Sequence, residues 1–484
     1  MIRWVLFWLW LGGFSVFGAT KVAIIGDSIS TGAHAKPQAT NGYPAVLGRL
    51  LGDEFQVKPF AIGGHTLVRK SRAALMGKPI YQKALEFAPD VAVIMLGTND
   101  SNSGGGNHWQ YQADLETDLM AMVSDLRKAN PEVLIHIAGP PPMYPEKSGL
   151  PSERIANLKE RRERLAEIRK RFGVIAAKEP KVLIHDLART FGPEETTDGV
   201  HPTTEGHAKL AAHLADVLPT KFDESFRAEN ELKEAGLEAK VSEFGGYARY
   251  DFKVPGAGCS GTIVSPKQAA AGRPWIWRAR FFGHQPALDL ELLDRGWHVA
   301  YCDVSNLYGA EPAMLRWDAM HEFMSKTLGL SPKPVLEGMS RGGLPIFNWA
   351  ARHPNSVSAI YGDNPVCDFR TWPGGDGGKR SEGDWKRLLE VYGIDDAAAG
   401  KHDQVVDRLE PIAKAGIPVA VVLGMKDDVV PPKQNGEAVA AKYESLGGKV
   451  RVWRKPDAGH HPHGLHPPAE LREFLLEATK RAGK

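Results

Sequence analysis

The chain has 484 residues, of which 43% are hydrophobic and 24% charged, and its formal net charge is +2 at pH 7. This length is sufficient for two or three domains with sizeable cores, and the composition is ordinary for a globular protein. A charge so close to neutral gives no support for nucleic acid or an anionic membrane surface as a partner, so any recognition through charge must be local.

The first residues have the pattern of an export signal. Arg3 precedes an uncharged apolar run over residues 4–17, and the small residues Gly18 and Ala19 follow it. We therefore predict a signal peptide over residues 1–19, export to the periplasm or the extracellular space, and no membrane attachment after cleavage. A retained N-terminal anchor is the alternative, although the run is shorter than the roughly 20 residues that a spanning helix needs.

A buried parallel strand is predicted over residues 22–25, and it runs directly into Gly26-Asp27-Ser28. A serine at the carboxyl end of such a strand lies where open α/β sheets bind their ligands. Taken alone, Ser28 fits equally well as the cap of a following helix. The choice between the two readings depends on segments further along the chain.

Three later segments carry the groups that a serine nucleophile requires. Residues 63–64 form a glycine-rich turn after a strand-like run, residues 97–100 follow a second buried strand, and Asp198 and His201 stand at the start of an amphipathic helix. His201 is suited to act as the base for Ser28, with Asp198 to orient the imidazole. Glycine N–H groups and the side-chain amide of an asparagine are suitable donors to an oxyanion.

These four blocks resemble the signature blocks of the SGNH (GDSL) hydrolases, in that family's order, over roughly residues 20–218. The resemblance implies a flavodoxin-like, three-layer α/β domain, which agrees with the parallel sheet that alternating strands and helices predict. It also implies the following roles: Ser28 as nucleophile, Gly64 and Asn99 in the oxyanion hole, and Asp198 and His201 completing the triad.

Two histidines and one loop of this first domain are less clearly tied to the site. His136 and His185 are predicted to be packed rather than catalytic. The flexible segment 101–109 directly follows the Asn99 block, and Trp109 within it would suit stacking on a sugar ring. An ordinary surface loop is the equal alternative.

A new pattern begins after a charge-rich segment. Residues 219–244 lack a strong apolar stripe and are predicted to be a linker with at most one short helix. From 245 to 484 the first strands follow one another closely, and later strands alternate with helices. A mixed sheet whose later part is parallel is therefore expected in a second domain.

The centre of the second domain is Gly338-Met339-Ser340-Arg341-Gly342, a Gly-x-Ser-x-Gly nucleophile elbow between a strand and a helix. Carboxylates follow a later buried strand at Asp427 and Asp428, and His460 follows the last strand. An acid and then a base come after the serine in the order that such a triad needs. Asp427 is the first choice for the acid, and Asp428 is the alternative.

This second half resembles the α/β-hydrolase family over roughly residues 245–482. The resemblance implies that Ser340, Asp427 and His460 form a triad and that the Arg341 N–H is one oxyanion donor. A second donor is expected from residues 281–283. The Ser-Arg pair is also similar to the elbow of glucuronoyl esterases, while a plain helix-surface charge is the alternative reading of Arg341.

Three further features of the second half complete the prediction. Residues 362–378 are read as a cap loop over the Ser340 pocket, in which Trp372 either contacts substrate or packs the cap. The histidines at 460, 461, 463 and 466 are read as a loop that holds one catalytic histidine, and we predict no metal or other cofactor. Three cysteines (Cys259, Cys302 and Cys367) allow one disulfide and one free thiol, and the sequence does not choose the pair.

The chain is thus predicted to be an exported, two-domain serine esterase with two triads. Its expected substrate and partner is an acylated carbohydrate carrying acetyl or related acyl or uronoyl esters, an expectation that rests on the two resemblances and on export. The alternatives are a lipase, a thioesterase or a peptidase, or one active domain joined to a degenerate hydrolase domain that only binds glycan.

Overall fold

Residues 19–482 are described in the computed structural model, except residues 186, 188–189, 219–221 and 224–225. The chain divides between Pro219 and Thr220 into two compact units. Up to residue 18 the predicted signal peptide lies outside the described residues, as do parts of the predicted linker. None of the helices within the described ranges is both long enough and apolar enough to cross a bilayer.

The first unit is a five-stranded parallel sheet with the strand order β2-β1-β3-β4-β5. This is the flavodoxin-like order, as predicted. Its strands are β1 (Thr20–Gly26), β2 (Phe55–Ala61), β3 (Val91–Met95), β4 (Leu134–Ala138) and β5 (Val182–His185). Its helices are α1 (Gln38–Asn41), α2 (Tyr43–Leu51), α3 (Pro79–Glu86), α4 (Leu115–Ala129), α5 (Ser152–Lys178) and α6 (Thr204–Val217).

Strand β1 shows why this sheet has helices on both faces. Successive side chains of a strand point to opposite faces, so Val22 and Ile24 enter one core while Ala23 and Ile25 enter the other. The first core is closed by α2 and α6, and the second by α3, α4 and α5. A strand buried on both faces is apolar at successive positions, and this pattern over residues 22–25 predicts β1.

The second unit is a nine-stranded mixed sheet with the order β16-β15-β14-β13-β11-β12-β9-β8-β7. The strands of the unit are β6 (Phe222–Asp223), β7 (Lys240–Phe244), β8 (Tyr247–Lys253), β9 (Ser260–Ser265), β10 (Ala269–Ala270), β11 (Trp275–Arg278), β12 (His298–Cys302), β13 (Val335–Met339), β14 (Ala359–Asp363), β15 (Val419–Gly424) and β16 (Val450–Lys455). From β7 to β12 neighbours are antiparallel, and from β12 to β16 they are parallel, as predicted.

Apart from α7, which precedes β7, the helices of this unit follow the later strands of the sheet. They are α7 (Ala228–Glu234), α8 (Ala287–Leu293), α9 (Glu311–Glu322), α10 (Gly343–Arg352), α11 (Glu382–Tyr392), α12 (Asp396–Ala399), α13 (Glu410–Lys414), α14 (Gly436–Ser445) and α15 (Ala469–Ala482). A cluster of buried indoles ties α10 to the sheet: Trp277 of β11 stacks on Trp317 of α9 at 4.1 Å and meets Trp349 of α10 edge-on. This cluster fixes the helix that begins just after Ser340.

The linker prediction is wrong at the end of its range. Residues Lys240–Phe244 form β7, which pairs with β8 at the edge of the sheet, and Ala228 and Leu232 of α7 are buried in the core. The side chains of β7 are mostly exposed, because an edge strand is held by its backbone hydrogen bonds and needs no apolar alternation. The charged, non-alternating side chains of this segment therefore did not indicate a strand.

A buried ionic group lies under the elbow of the second unit. Arg278 bonds to Asp289, and its Nη2 lies 3.3 Å from Glu337 Oε1; all three side chains are almost fully buried. Burial raises the pKa of Glu337 from its ordinary 4.5 to about 8, although Arg278 opposes the shift. Glu337 is therefore mostly protonated at neutral pH, which leaves one cation facing one carboxylate.

We expect Glu337→Gln to be better tolerated at high than at low pH. Because the pKa of Glu337 is higher in the folded state, the wild type loses stability as pH rises from 4.5 towards about 8, by up to about 1.4 kcal/mol per pH unit. Glutamine copies the neutral form, so the free energy of unfolding of the variant relative to the wild type should rise over this range. Urea unfolding followed by tryptophan fluorescence measures it, and parallel pH curves for the two proteins would contradict the assignment.

Candidate active sites

In the first unit, Ser28 lies in the turn after β1 and meets two residues from the loop that precedes α6. Its Oγ lies 3.0 Å from His201 Nε2, and His201 Nδ1 lies 2.9 Å from Asp198 Oδ2. The other carboxylate oxygen of Asp198 accepts the N–H groups of Val200 and His201. Burial alone would raise the pKa of Asp198, but these hydrogen bonds hold it well below its usual value. The carboxylate therefore stays charged and keeps the His201 proton on Nδ1.

The two predicted oxyanion donors, Gly64 and Asn99, lie in segments close to Ser28. Gly64 adopts φ +76°, in the left-handed region that favours glycine, and a Cβ on Gly63 would lie 3.6 Å from Ser28 Cβ. Within the described chain, the backbone N–H groups of Ser28 and Gly64 donate to no other group. The Asn99 amide donates to His65 O at 3.0 Å and, more weakly, to Asp27 Oδ2 at 3.3 Å. Two backbone N–H groups near Ser28 are therefore available as donors, and the oxyanion roles of Gly64 and Asn99 stay predictions.

His34 belongs to this site, although sequence reasoning missed it. Its ring stacks on His201 with centroids 4.5 Å apart and planes 14° from parallel, and its Nδ1 lies 2.6 Å from Thr197 Oγ1. His34 adopts φ +73°, which is unusual for a residue with a side chain. The neighbouring Ala33 carbonyl is held by His207 Nε2 at 2.9 Å. No local motif marks this residue, because the contact joins segments far apart in the chain.

Basic residues of α5 support the site from the side. Arg161 is buried and donates to Thr98 O and Ser101 Oγ, which holds the segment that carries Asn99. Further along α5, Arg164 covers the half-buried Trp109 at 5.1 Å from the ring centroid. The contact of Trp109 with a sugar stays a prediction.

In the second unit, Ser340 follows β13 with φ +50°, the strained conformation of a nucleophile elbow. A Cβ on Gly338 would lie 2.4 Å from Gly342 O, so this strand–helix turn requires glycine there. Ser340 Oγ lies 2.9 Å from His460 Nε2, and His460 Nδ1 lies 2.7 Å from Asp427 Oδ2. A second Ser–His–Asp chain is therefore present at the carboxyl edge of this sheet.

The structure distinguishes the two candidate acids. Asp427 is buried, and its Oδ1 accepts the N–H groups of Val429 and Val430, which turns Oδ2 towards His460. Asp428 is exposed. Of the two carboxylates, it is Asp427 that bonds to the imidazole.

Arg341 is engaged in an ion pair rather than presented as a surface charge. Its Nη1 lies 2.8 Å from Asp384 Oδ1, and its guanidinium covers Trp372 at 4.4 Å from the ring centroid. Tyr308 O–H also donates to Asp384, at 2.6 Å. Trp372 is only 7% exposed. Trp372 therefore packs beneath Arg341, which is the packing alternative, and a contact of its ring with substrate stays a prediction.

Two loops approach the elbow that carries Ser340. In the predicted cap segment, Val366 N–H donates to Ser340 O at 2.8 Å. The loop after β11 passes the elbow, where a Cβ on Gly342 would lie 3.4 Å from Arg280 Cβ. The loop after β11 therefore approaches the elbow at Arg280, and the N–H of Arg341 and an N–H from residues 281–283 stay the predicted oxyanion donors.

The histidine-rich loop places three imidazoles close together. Nitrogen atoms of His460, His461 and His463 lie within 4.8 Å of one another, a spacing that candidate metal ligands share. Both ring nitrogens of His460 are already bonded, to Ser340 and Asp427, and His463 Nδ1 bonds to Asp363. A metal bound through His460 would therefore displace one bond of the Ser–His–Asp chain.

Comparison with known families covers the first unit. Residues 24–209 match the family described as GDSL-like Lipase/Acylhydrolase. An acetylxylan esterase from Xylanibacter ruminicola is 32% identical over 221 residues, which cover 41% of this chain and 43% of that protein. The match thus spans less than half the length of this relative.

Among solved structures, the chain is similar to dipeptidyl peptidase 4 of Porphyromonas gingivalis (TM-score 0.37, 15% identity, covering 50% of this chain and 35% of that one). It is also similar to an esterase from Pyrococcus furiosus (TM-score 0.34, 14% identity, covering 52% and 95%). The fold of the second unit rests on its own features: β11 and β12 exchanged in the sheet, an elbow after β13, and acid and base following β15 and β16. This is the α/β-hydrolase arrangement.

Proposed function

We propose that this chain, whose N-terminal unit is a GDSL/SGNH hydrolase domain and whose C-terminal unit has the α/β-hydrolase fold, is an exported serine esterase with two active sites. Both are proposed to cleave carboxylic esters, with acetyl or related acyl groups on carbohydrates as the substrates. The observation that carries the proposal is the presence of two separate Ser–His–Asp hydrogen-bonded chains, one in each unit.

Each site would work by the same acyl transfer. The serine Oγ attacks the ester carbonyl while histidine Nε2 takes its proton, and the aspartate stabilises the imidazolium that forms. The tetrahedral oxyanion is held by the backbone donors and, in the first unit, by the Asn99 amide. The imidazolium then gives its proton to the departing sugar oxygen, which leaves as a hydroxyl, and the acyl-enzyme is hydrolysed by a water that the same histidine activates.

The surroundings of Ser28 favour a small acyl group on a polar alcohol. The residues that border the nucleophile are polar or glycine: Gly63 and Gly64 are exposed, and His34 and His65 stand at the surface or partly so. A long acyl chain would find no apolar wall among these residues. The similarity to an acetylxylan esterase supports an acetylated polysaccharide as the substrate.

The proposal is tested by a substrate panel in which released acetate and released alcohol are measured separately. The panel contains acetylated xylan, an acetylated monosaccharide, a glucuronate methyl ester, and p-nitrophenyl acetate and octanoate. We expect acetate release from the carbohydrates and preference for p-nitrophenyl acetate over the octanoate. Cleavage of the long-chain ester alone would overturn the carbohydrate part of the proposal.

Export is a separate part of the proposal and needs its own measurement. When the full chain is expressed with its own N-terminus in a secreting bacterium, we expect it outside the cytoplasm with a new N-terminus after Gly18 or Ala19. Mass spectrometry of the intact protein determines this. A cytoplasmic protein that retains its first residues would contradict export and leave the esterase proposal standing.

Removing the Asn99 amide should slow the first site strongly. We expect Asn99→Ala to lower kcat by about 10²–10³ with little change in KM, as for other oxyanion-hole donors. The measurement is steady-state kinetics on p-nitrophenyl acetate in a Ser340→Ala background, which isolates the first site. Asn102→Ala, in the same loop, is the matched control. An unchanged kcat would show that Asn99 is not a donor.

The stacked ring of His34 should matter modestly and through its aromatic face. An aromatic pair contributes roughly 0.5–1.5 kcal/mol, so we expect His34→Ala to lower kcat by about 2- to 10-fold at unchanged KM. His34→Phe keeps a ring over His201 and should retain most of the activity. Equal losses in the two variants would indicate that the bond to Thr197, not the stacking, positions His201.

A further inference from the structure

Two of the three buried cysteines meet in the second unit. Cys302 ends β12, and Cys259 lies just before β9, with the two Sγ atoms 3.4 Å apart. The antiparallel register pairs Cys302 with Gly261. Side chains alternate along a strand, so Cys259, two residues before Gly261, lies on the same face as Cys302 and diagonal to it. Cys367 is also buried and follows β14, in a different part of the sheet.

We propose that Cys259 and Cys302 form a disulfide when the chain folds under oxidising conditions, while Cys367 remains a thiol. The sulfur atoms are already in contact, and the strands that carry them are paired neighbours, so a disulfide bond of about 2.05 Å needs the two Sγ atoms to approach by about 1.4 Å. The contact with Cys302 lowers the pKa of the Cys259 thiol, and the charge of Arg316 acts in the same direction. Cys259 is therefore the better attacking thiolate.

The bond forms by thiol–disulfide exchange with an external disulfide, that of an oxidoreductase or of oxidised glutathione. The Cys259 thiolate attacks one sulfur of the oxidant, which forms a mixed disulfide and releases the other sulfur as a thiolate. The Cys302 thiolate then attacks Cys259 Sγ and releases the second sulfur. Two cysteine thiols are oxidised and one external disulfide is reduced, and the two protons pass to the departing thiolates.

Burial determines when this exchange occurs. Both thiols are shielded in the folded unit, so an oxidant reaches them before β9 and β12 have closed, during folding. Exported proteins fold where such oxidants are present. The presence of an oxidant in the cell is the one point that depends on the proposed export. The bond would close the loop from 259 to 302 and fix the end of β12, from which the chain leads to Tyr308 beside Asp384.

The test uses the full chain made in a bacterial strain with an oxidising cytoplasm, so that export is not required. The protein is alkylated in denaturant before and after reduction and digested without reductant for mass spectrometry. We expect a cross-linked peptide that joins Cys259 to Cys302, with Cys367 alkylated without reduction. Alkylation of all three cysteines without reduction, or a bridge to Cys367, would overturn the proposal.

Stability provides a second readout, with a matched control. Loss of a bridge across this loop should lower Tm by roughly 5–10 °C. Cys367→Ser should keep the bridge, so its Tm should fall further when a reductant is added, while Cys259→Ser and Cys302→Ser should lack the bridge and show no further fall on reduction. If either variant fails to fold, the peptide map of the wild type still decides. No ester is cleaved in these measurements, so their outcome is independent of the esterase proposal.

Discussion

Ser28→Ala removes the activity of the first site and leaves the second intact, and Ser340→Ala does the reverse. Each loss is expected to reach about 10⁶ in kcat for its own site, because the nucleophile and its base act as a unit. The two hydrogen-bonded chains share no residue, so neither serine has a base other than its own. The double variant should therefore lose both activities.

A fluorophosphonate separates the two sites without knowledge of the preferred substrate, because it labels only activated serines. Intact mass should show two labels on the wild type, one on each single variant and none on the double variant. Ser103→Ala and Ser445→Ala, at positions away from both nucleophiles, serve as controls and should keep both labels. If Ser340→Ala keeps two labels and every ester activity, the second unit is not a hydrolase, and the glycan-binding alternative gains support.

The parts of the molecule that could be predicted are those in which a short stretch of sequence carries its own physical reason. The strand over 22–25 is buried on both faces, so it had to be continuously apolar. The elbow around Ser340 requires glycine at 338, where a Cβ would lie 2.4 Å from Gly342 O, and this requirement appears in the first glycine of Gly-x-Ser-x-Gly. Both patterns are local. Residues that follow parallel strands come together because the carboxyl ends of these strands lie at the same edge of the sheet.

The parts that could not be predicted depend on contacts between distant segments. The role of His34 depends on its loop lying over His201, a contact that no local sequence pattern indicates. Trp372 was an aromatic residue in a loop, and only the ion pair of Arg341 with Asp384 explains why it packs inward. The cysteine pair needed the register of β9 against β12. Strand β7 is held by backbone bonds, which leave little trace in side-chain pattern.

The second large effect is expected at the acid of the second site. Asp427→Asn should lower kcat of that site by about 10⁴, as loss of the charge does in other serine triads, since an amide no longer stabilises the imidazolium and can hold the wrong tautomer of His460. Asp428→Asn is a closely matched control: it removes the same charge one residue away, but from an exposed side chain. Kinetics on p-nitrophenyl acetate in a Ser28→Ala background measure both variants.

The comparison between these two variants also separates catalysis from stability. Asp427 accepts two backbone N–H groups with Oδ1, and an asparagine oxygen can keep these bonds. The Tm of Asp427→Asn should therefore change little while its kcat falls. A large fall in Tm would instead indicate that Asp427 has a structural role in this loop. A larger fall in kcat for Asp428→Asn than for Asp427→Asn would mean that the loop after β15 rearranges in solution. Because Asp427 Oδ2 bonds to His460 Nδ1 and the exposed Asp428 does not, we expect the fall in kcat at position 427 and not at 428.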